Sequence, residues 1–489
     1  MTTGYKILDH HQLKKGKFVT TLNDSSLNIS FSKWNLERLP EYIWIGVILD
    51  FYGREEGMKR IHAICTKLHD IAESINLPKL SEIFSLNDTE QSKFYQEMLK
   101  IISKDVLAPL TLIFTYSRNP LFSQNFASPE ISLDDRLDKI MNILRKTSDH
   151  QSELSTDIRY VVLYYLALSE KLHLANQEQV DLLTQYPLMK HDNPVMQHAR
   201  PFIRASEGAV SGMDTSANTE HASFFWERIS KMTDCELIKI QFEEENRDTD
   251  QYIQHLQGIY SYLSEVFTKT SPLDNKMLVL LGIATYSFKR IKEVSDHKLN
   301  NTIVGRSSVR VLIENYIMIK YLIKNEPSRK DIWTEFQEYG IGQFKLIVER
   351  SREQTPVKEN SHVDYKYLEI LVRGFKDEMF LDMDTRYFDD KNIRDKAKIV
   401  DENQLYGLYY DYDSAFEHGL WGAIRESSLL NCNNPLHRYH CIPDVNDEQN
   451  LKSVWPDCVM VMNKTINVLD EIYGIPDPLL RGILDFEKE

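Results

Sequence analysis

The stretch YDYDSAFEHGLWGAIRESSLL, from Tyr410 to Leu430, sets polar side chains at regular intervals in an otherwise apolar run. Tyr410, Ser414 and His418 follow one another at spacing four, and Arg425 comes seven later. On a continuous helix residues so spaced share a face, while Phe416, Leu420, Ala423 and Ile424 occupy the other sides. A second stretch, GRSSVRVLIENYIMIKYLI, is apolar nearly all round yet carries Arg306, Arg310 and Glu314, again at spacing four. An all-round apolar helix is a buried one. A buried Arg and Glu must then be paired, because an isolated charge in the interior costs several kcal/mol.

If the two stripes face each other, Arg310 and Glu314 meet Ser414 and His418, and the set suits chemistry at phosphate. A guanidinium holds phosphate bidentately and stabilises developing charge. Histidine, as a residue type, ionises near neutral pH and can move a proton. The expected roles are His418 as general base or acid, Arg310 and Arg425 as phosphate holders, and Glu314 as the group that orients an Arg or the His. Arg306, Tyr410 and Ser414 complete the binding set, with Ser414 positioning His418. No cofactor and no metal are expected, since none is needed for that chemistry. RNA or a phosphate-bearing small molecule is the partner this reading implies. The competing reading is a core network that fixes helix register, because ion-pair networks gather the same residue types. The protein is then a non-catalytic sensor or interaction module, with aromatic-rich helices as a partner or homodimer face.

Other motifs carry less. CNNPLHRYHC gathers Cys432, His437, His440 and Cys441, which suggests zinc, but it contains no C-x-x-C or H-x-x-x-H pair and is read as a loop. An Arg followed after four to six residues by His marks one class of helical ribonucleases. It occurs at Arg145–His150 and Arg290–His297, against about two expected by chance. Walker-type phosphate loops, Rossmann glycine fingerprints, nucleophile elbows and zinc-protease helices are absent from the sequence.

The elements that must position the stripes are helical. LPEYIWIGVILDFY opens with Pro40, tolerated in a first turn, and Glu41 near the positive end of the dipole. STDIRYVVLYYLAL starts with Ser155 as N-cap and is apolar on most sides. NTIVGRSSVRVLIENYIMIKYLIKNEP should stop before Pro327, and DIWTEFQEYGIGQFKLIVERSREQ and LKSVWPDCVMVMNKTINVLDEIYG complete the C-terminal set. KFVTTLNDSSLNISFSKW is the one extended or hairpin candidate. The fold expected is therefore all-α, in two helical-bundle halves with a short N-terminal hairpin or arm. The composition break SEGAVSGMDTSANTEH places a linker or surface loop at 206–222, between an N-terminal domain 1–205 and a C-terminal domain 223–489 that carries both stripes. EQTPVKENSH and DMDTRYFDDKNIRDK read as further irregular zones. HASFFWERISKMTDC supplies an aromatic cluster expected in the core of the second half.

A chain of 489 residues exceeds one compact core. Hydrophobic residues at 42% suffice for large cores, and a formal net charge of -15 argues against a broad nucleic-acid or anionic-membrane surface. The basic run His10 to Lys17 reads as a solvated tail. Five scattered cysteines, Cys65, Cys235, Cys432, Cys441 and Cys458, fit a reducing cytoplasm and not a disulfide framework. The start lacks an apolar secretory core, and the longest apolar runs are too short to span a bilayer, so a soluble cytoplasmic protein is expected.

GRSSVRVLIENYIMIKYLIKN, YYDYDSAFEHGLWGAIRESS and NPLHRYHCIPD together resemble the bacterial helical proteins grouped as domain of unknown function 5677. In that family an Arg and Glu on one helix recur with a Tyr-Ser-His run on a later one, which places the pattern here on Arg310, Glu314, Tyr410, Ser414 and His418. KKGKFVTTLN and WNLERLPEYIW resemble a longer subgroup with an extra helical N-terminal half. The family's helical layout is similar to that of RNA-cleaving and nucleotide-binding helical domains of bacterial toxin and phage-defence systems. The resemblance therefore implies a metal-independent, ribonuclease-like or phosphate-directed effector.

Overall fold

The computed structural model describes residues 12–14, 17–19, 32–174, 176–213, 219–242, 249–353, 361–374, 387–446 and 451–484. The protein is all-α: 74% of the described residues are helical. The N-terminal strand pair is formed by Gln12–Lys14 and Lys17–Val19, antiparallel, with Leu13 opposite Phe18. Among the described residues, no helix is long and apolar enough to cross a membrane.

The chain folds into two compact units. The first comprises 1–238 together with the short return segment Asn431–His440, and the second comprises 239–430 and 441–489. Of the stretch 206–222, read as a linker or surface loop, 206–213 end the helix Met196–Met213 and 219–222 begin the helix Thr219–Ser230, while 214–218 lie outside the described residues. The Met196–Met213 helix packs on the helix Glu153–Leu168. The HASFFWERISKMTDC cluster likewise belongs to the first unit. Phe225, Trp226 and Ile229 are buried in that unit's core, and the Trp226 indole donates to the Leu36 carbonyl at 3.2 Å. Of the other irregular zones, 354–360 and 375–386 lie outside the described residues, whereas Ile393–Ile399 is a helix. His10, His11, Lys15 and Gly16 of the basic run also lie outside them.

In the first unit the helix Leu39–Tyr52 is the centre. Leu39 through Leu49 are all buried, against the helices Arg54–Ile71, Leu133–Ser148 and Glu153–Leu168. Ser152, not Ser155, caps the last of these: its hydroxyl accepts from the Ser155 amide at 3.1 Å. Ser155 is turned inward and donates to the Thr147 and Asp149 carbonyls. A serine one turn upstream competes for the same cap, and the one whose hydroxyl reaches the third helical amide wins.

The second unit is built around the helix Ile303–Asn325. Thr302 caps it by accepting from the Gly305 amide at 3.2 Å, and it ends before Pro327. Gly305 is required by space, since a β-carbon there would run into the Leu299 carbonyl oxygen. Around this helix pack Asn275–Asp296, Ile393–Ile399, the segment Leu405–Glu417 and Trp455–Tyr473. The core between them includes Leu312, Ile313, Ile317, Tyr410, Trp455 and Met462.

Candidate functional site

The polar stripe of Ile303–Asn325 faces the segment Leu405–Glu417, whose first turn is a π-helix, Leu405–Tyr410, running into the α-helix Asp411–Glu417. Arg310 donates to the Tyr410 hydroxyl at 2.9 Å and lies 3.0 Å from Glu314 Oε1. Tyr410 in turn donates to Glu314 Oε1 at 2.7 Å. The three groups form a closed triangle. The guanidinium also sits 5.0 Å from the Tyr410 ring centroid, and Tyr406 stacks on Tyr410 at 4.8 Å.

Arg306 is spoken for differently. It is 2% exposed and donates to the Thr302 carbonyl at 3.2 Å and the Lys452 carbonyl at 2.9 Å. Its guanidinium lies 5.1 Å from the Phe416 ring. Carbonyls and an aromatic face thus meet part of this buried cation, while its Nε is buried without a hydrogen-bond partner.

Further along the facing segment, Ser307 donates to Glu417, and Asp413 is 4% exposed. Burial pushes the Asp413 carboxyl up to about 7; Arg306 opposes the shift and Asp457 adds to it. Burial also raises the Tyr410 phenol, aided by its bond to Glu314 and that residue's charge, so it stays protonated as a donor. For Arg310, burial works to lower the guanidinium, but Glu314, Tyr410 and Glu417 outweigh it and the net shift is upward.

The remaining expected residues sit elsewhere. Ser414 is half-buried. The continuous helix that would carry Ser414, His418 and Arg425 on one face is not formed. The helix ends at Glu417, Gly419 takes φ +58, and a new helix starts at Trp421. His418 is the exposed C-terminal cap and Arg425 is exposed on the next helix. The physical reason lies in Gly419, which enters the left-handed region without steric cost and stops the helix. The facing arc also differs from the one expected. At about 100° per residue, Tyr410, Asp413 and Glu417 span about 60°, whereas His418 lies about 80° to the other side of Tyr410. Asp413 and Glu417 were therefore readable as stripe members from their three- and four-residue spacing after Tyr410. The expected meeting of Arg310 and Glu314 with Ser414 and His418 is replaced by one with Tyr410, a turn earlier.

Residues 278–435 match the model of a family described as "Family of unknown function (DUF5677)". Over this segment the chain is similar to DUF5677. The match takes in the whole Arg306–Arg310–Glu314 helix and the Leu405–Glu417 segment, so the triangle lies inside the matched region. Comparisons with curated proteins and with solved structures return no match for the chain. This arrangement can hold helix register through one closed triangle and one buried cation. It leaves one titratable acid, Asp413, buried between them.

Proposed function

We propose that the DUF5677-like segment of this protein is a non-catalytic helical sensor or interaction module, in which the two polar stripes hold helices in register. The observation that carries this reading is the closed Arg310–Tyr410–Glu314 triangle. Arg310 and Glu314, the charged pair expected at phosphate, are engaged with each other and with Tyr410. Arg306 is bound to two backbone carbonyls. Glu314 and Glu417 both lie close enough to act on Arg310 by charge, and two carboxylates beside one guanidinium repel an anion. On the same stretch Leu408, Leu420 and Trp421 are exposed by 60%, 56% and 69%. Such side chains would hold a protein partner, a second copy of the chain included.

The test is RNA integrity after the purified full chain is incubated with total bacterial RNA, with and without EDTA, wild type beside His418→Ala. The proposal expects intact RNA in every lane. Cleavage by wild type alone would overturn it in favour of the second reading, a phosphate-directed, ribonuclease-like effector of a bacterial stress or phage-defence system. That reading is favoured by the access of its expected groups to solvent: His418 is exposed, and the Arg310 side chain keeps 19% exposure.

A further inference from the structure

The loop set aside as a metal site gains a fourth donor from far away in the chain. Cys235 lies against Cys432, His437 and His440, and one ligand atom from each of the four falls within 4.8 Å of all the others. All four belong to the first compact unit. Cys235 Sγ is 3.4 Å from His437 Nδ1 and 3.2 Å from His440 Nε2, and Cys432 Sγ is 3.6 Å from His437 Nδ1. Zinc with bonds of about 2.3 Å to sulfur and about 2.0–2.1 Å to nitrogen in a tetrahedron requires sulfur–nitrogen edges of about 3.5 Å. The donor separations match that figure.

We propose that Cys235, Cys432, His437 and His440 form a structural zinc site of the Cys2His2 type.

Three features beyond the donor set support it. The first is the tautomer of His437. Its Nε2 lies 3.1 Å from the Thr233 carbonyl oxygen, an acceptor only, so Nε2 carries the proton. That leaves Nδ1 as a lone pair directed at the two sulfurs. A ring nitrogen pinned by a backbone carbonyl while the other ligates is how metal-bound histidines are held. The second is the Asn434 backbone amide, which donates to Cys432 Sγ at 3.5 Å, the kind of hydrogen bond that orients a ligating sulfur. The third is the chain path. After the turn Pro435–His437, Arg438 and Tyr439 both take positive φ, 57° and 51°. Two consecutive non-glycine residues there reverse the chain and bring His440 back over Cys432, whose amide donates to the His440 carbonyl at 2.8 Å. Backbone of this kind persists where its surroundings over-determine it.

Four protein donors close the coordination sphere, so the site is structural and offers no open position for substrate. Binding Zn2+ releases the two thiol protons to solvent. The gain is large in principle, because Cys235 and the other three ligands are separated by about 200 residues of chain, and a cross-link that closes a long loop removes much unfolded-state entropy. The segment Asn431–His440 is otherwise held by short pairing, Leu237 opposite Cys432 and Ile238 opposite Asn431, and by Leu436, fully buried in the first unit's core. Cys441, the nearest cysteine in sequence to these, is outside the four-donor group.

The experiment measures zinc in the full chain, purified under reductant without chelator, by plasma mass spectrometry, before and after reconstitution with zinc chloride. Wild type should hold one zinc per chain, Cys441→Ser should hold the same, and Cys235→Ser and His440→Ala should hold at most a tenth of it. Both altered positions are exposed, so these variants are the ones expected to fold. Should a variant nevertheless fail to fold, cobalt substitution of the wild type decides alone: thiolate charge-transfer bands and strong visible bands of a tetrahedral site are expected. Zinc far below one per chain after reconstitution, retention in Cys235→Ser, equal loss in Cys441→Ser, or a Cys235–Cys432 disulfide under reductant would each overturn the proposal.

Discussion

The Tyr410 hydroxyl accepts from Arg310 and donates to Glu314 in the same geometry, at 2.9 and 2.7 Å. One phenol thus converts an ordinary i,i+4 ion pair on a helix surface into a tie between two helices. The ion pair alone would contribute a few tenths of a kcal/mol. The phenol adds two hydrogen bonds to charged groups in a half-buried setting, where each contributes about 1.5–3 kcal/mol.

Tyr410→Phe keeps the ring, its stack on Tyr406 and its face toward Arg310, and removes only the hydroxyl. We expect a loss of about 2 kcal/mol in chemical denaturation, since both partners keep some access to water and to each other. A loss below about 0.5 kcal/mol would show that the triangle does not hold the helices.

His418→Ala removes an exposed cap residue with no place in the triangle. Stability should change by less than about 0.5–1 kcal/mol, and RNA should remain intact with either protein. A variant that folds as wild type but abolishes a wild-type cleavage activity would return the chemistry to this histidine.

Asp413 should make stability depend on pH. Its carboxyl rises from 3.8 to about 7 on folding, so the folded state holds the proton more tightly than the unfolded one. The favourable contribution is full below about pH 3.8, is lost as pH rises toward 7, and stays lost above it. Asp413→Asn should therefore gain on wild type across that window, by an amount on the order of a few kcal/mol, and hold a constant advantage at higher pH. Parallel denaturation curves for the two proteins at pH 5 and pH 8 check this, and an unchanged difference would refute it.

Gly305→Ala puts a β-carbon against the Leu299 carbonyl and crowds Val454. Overpacking against backbone that cannot yield costs about 1–3 kcal/mol, despite the higher helix propensity of alanine. A stabilised variant, read from its denaturation midpoint, would mean that the 299–305 turn moves freely.

Local signals carried much of this protein. Three-and-four spacing of apolar residues is written along many of the helices, so the all-α class and the stop before Pro327 could be read directly, whereas of the stripe expected to be buried Arg306 is buried and Arg310 and Glu314 are half-buried. The spacing also implied that a buried Arg needs a partner. Which partner it takes depends on the facing arc of another helix, and that arc carries Tyr410, with His418 about 80° to its other side even on an unbroken helix. Gly419 and the break before Trp421 then part His418 from Arg425 as well. The unit boundary was invisible for a related reason. Small polar residues after Ser206 resemble a linker or loop, yet those up to 213 continue the helix Met196–Met213, which packs on Glu153–Leu168. The four-donor cluster was the least legible of all. Cys235 and Cys432 have no sequence relation that a spacing rule can see, because their proximity arises only when the chain returns to the first unit for Asn431–His440. Sequence by itself determined the helices, since each depends on residues within one or two turns. Tertiary structure alone decided the partners of their polar groups, since those are chosen by segments far apart in the chain.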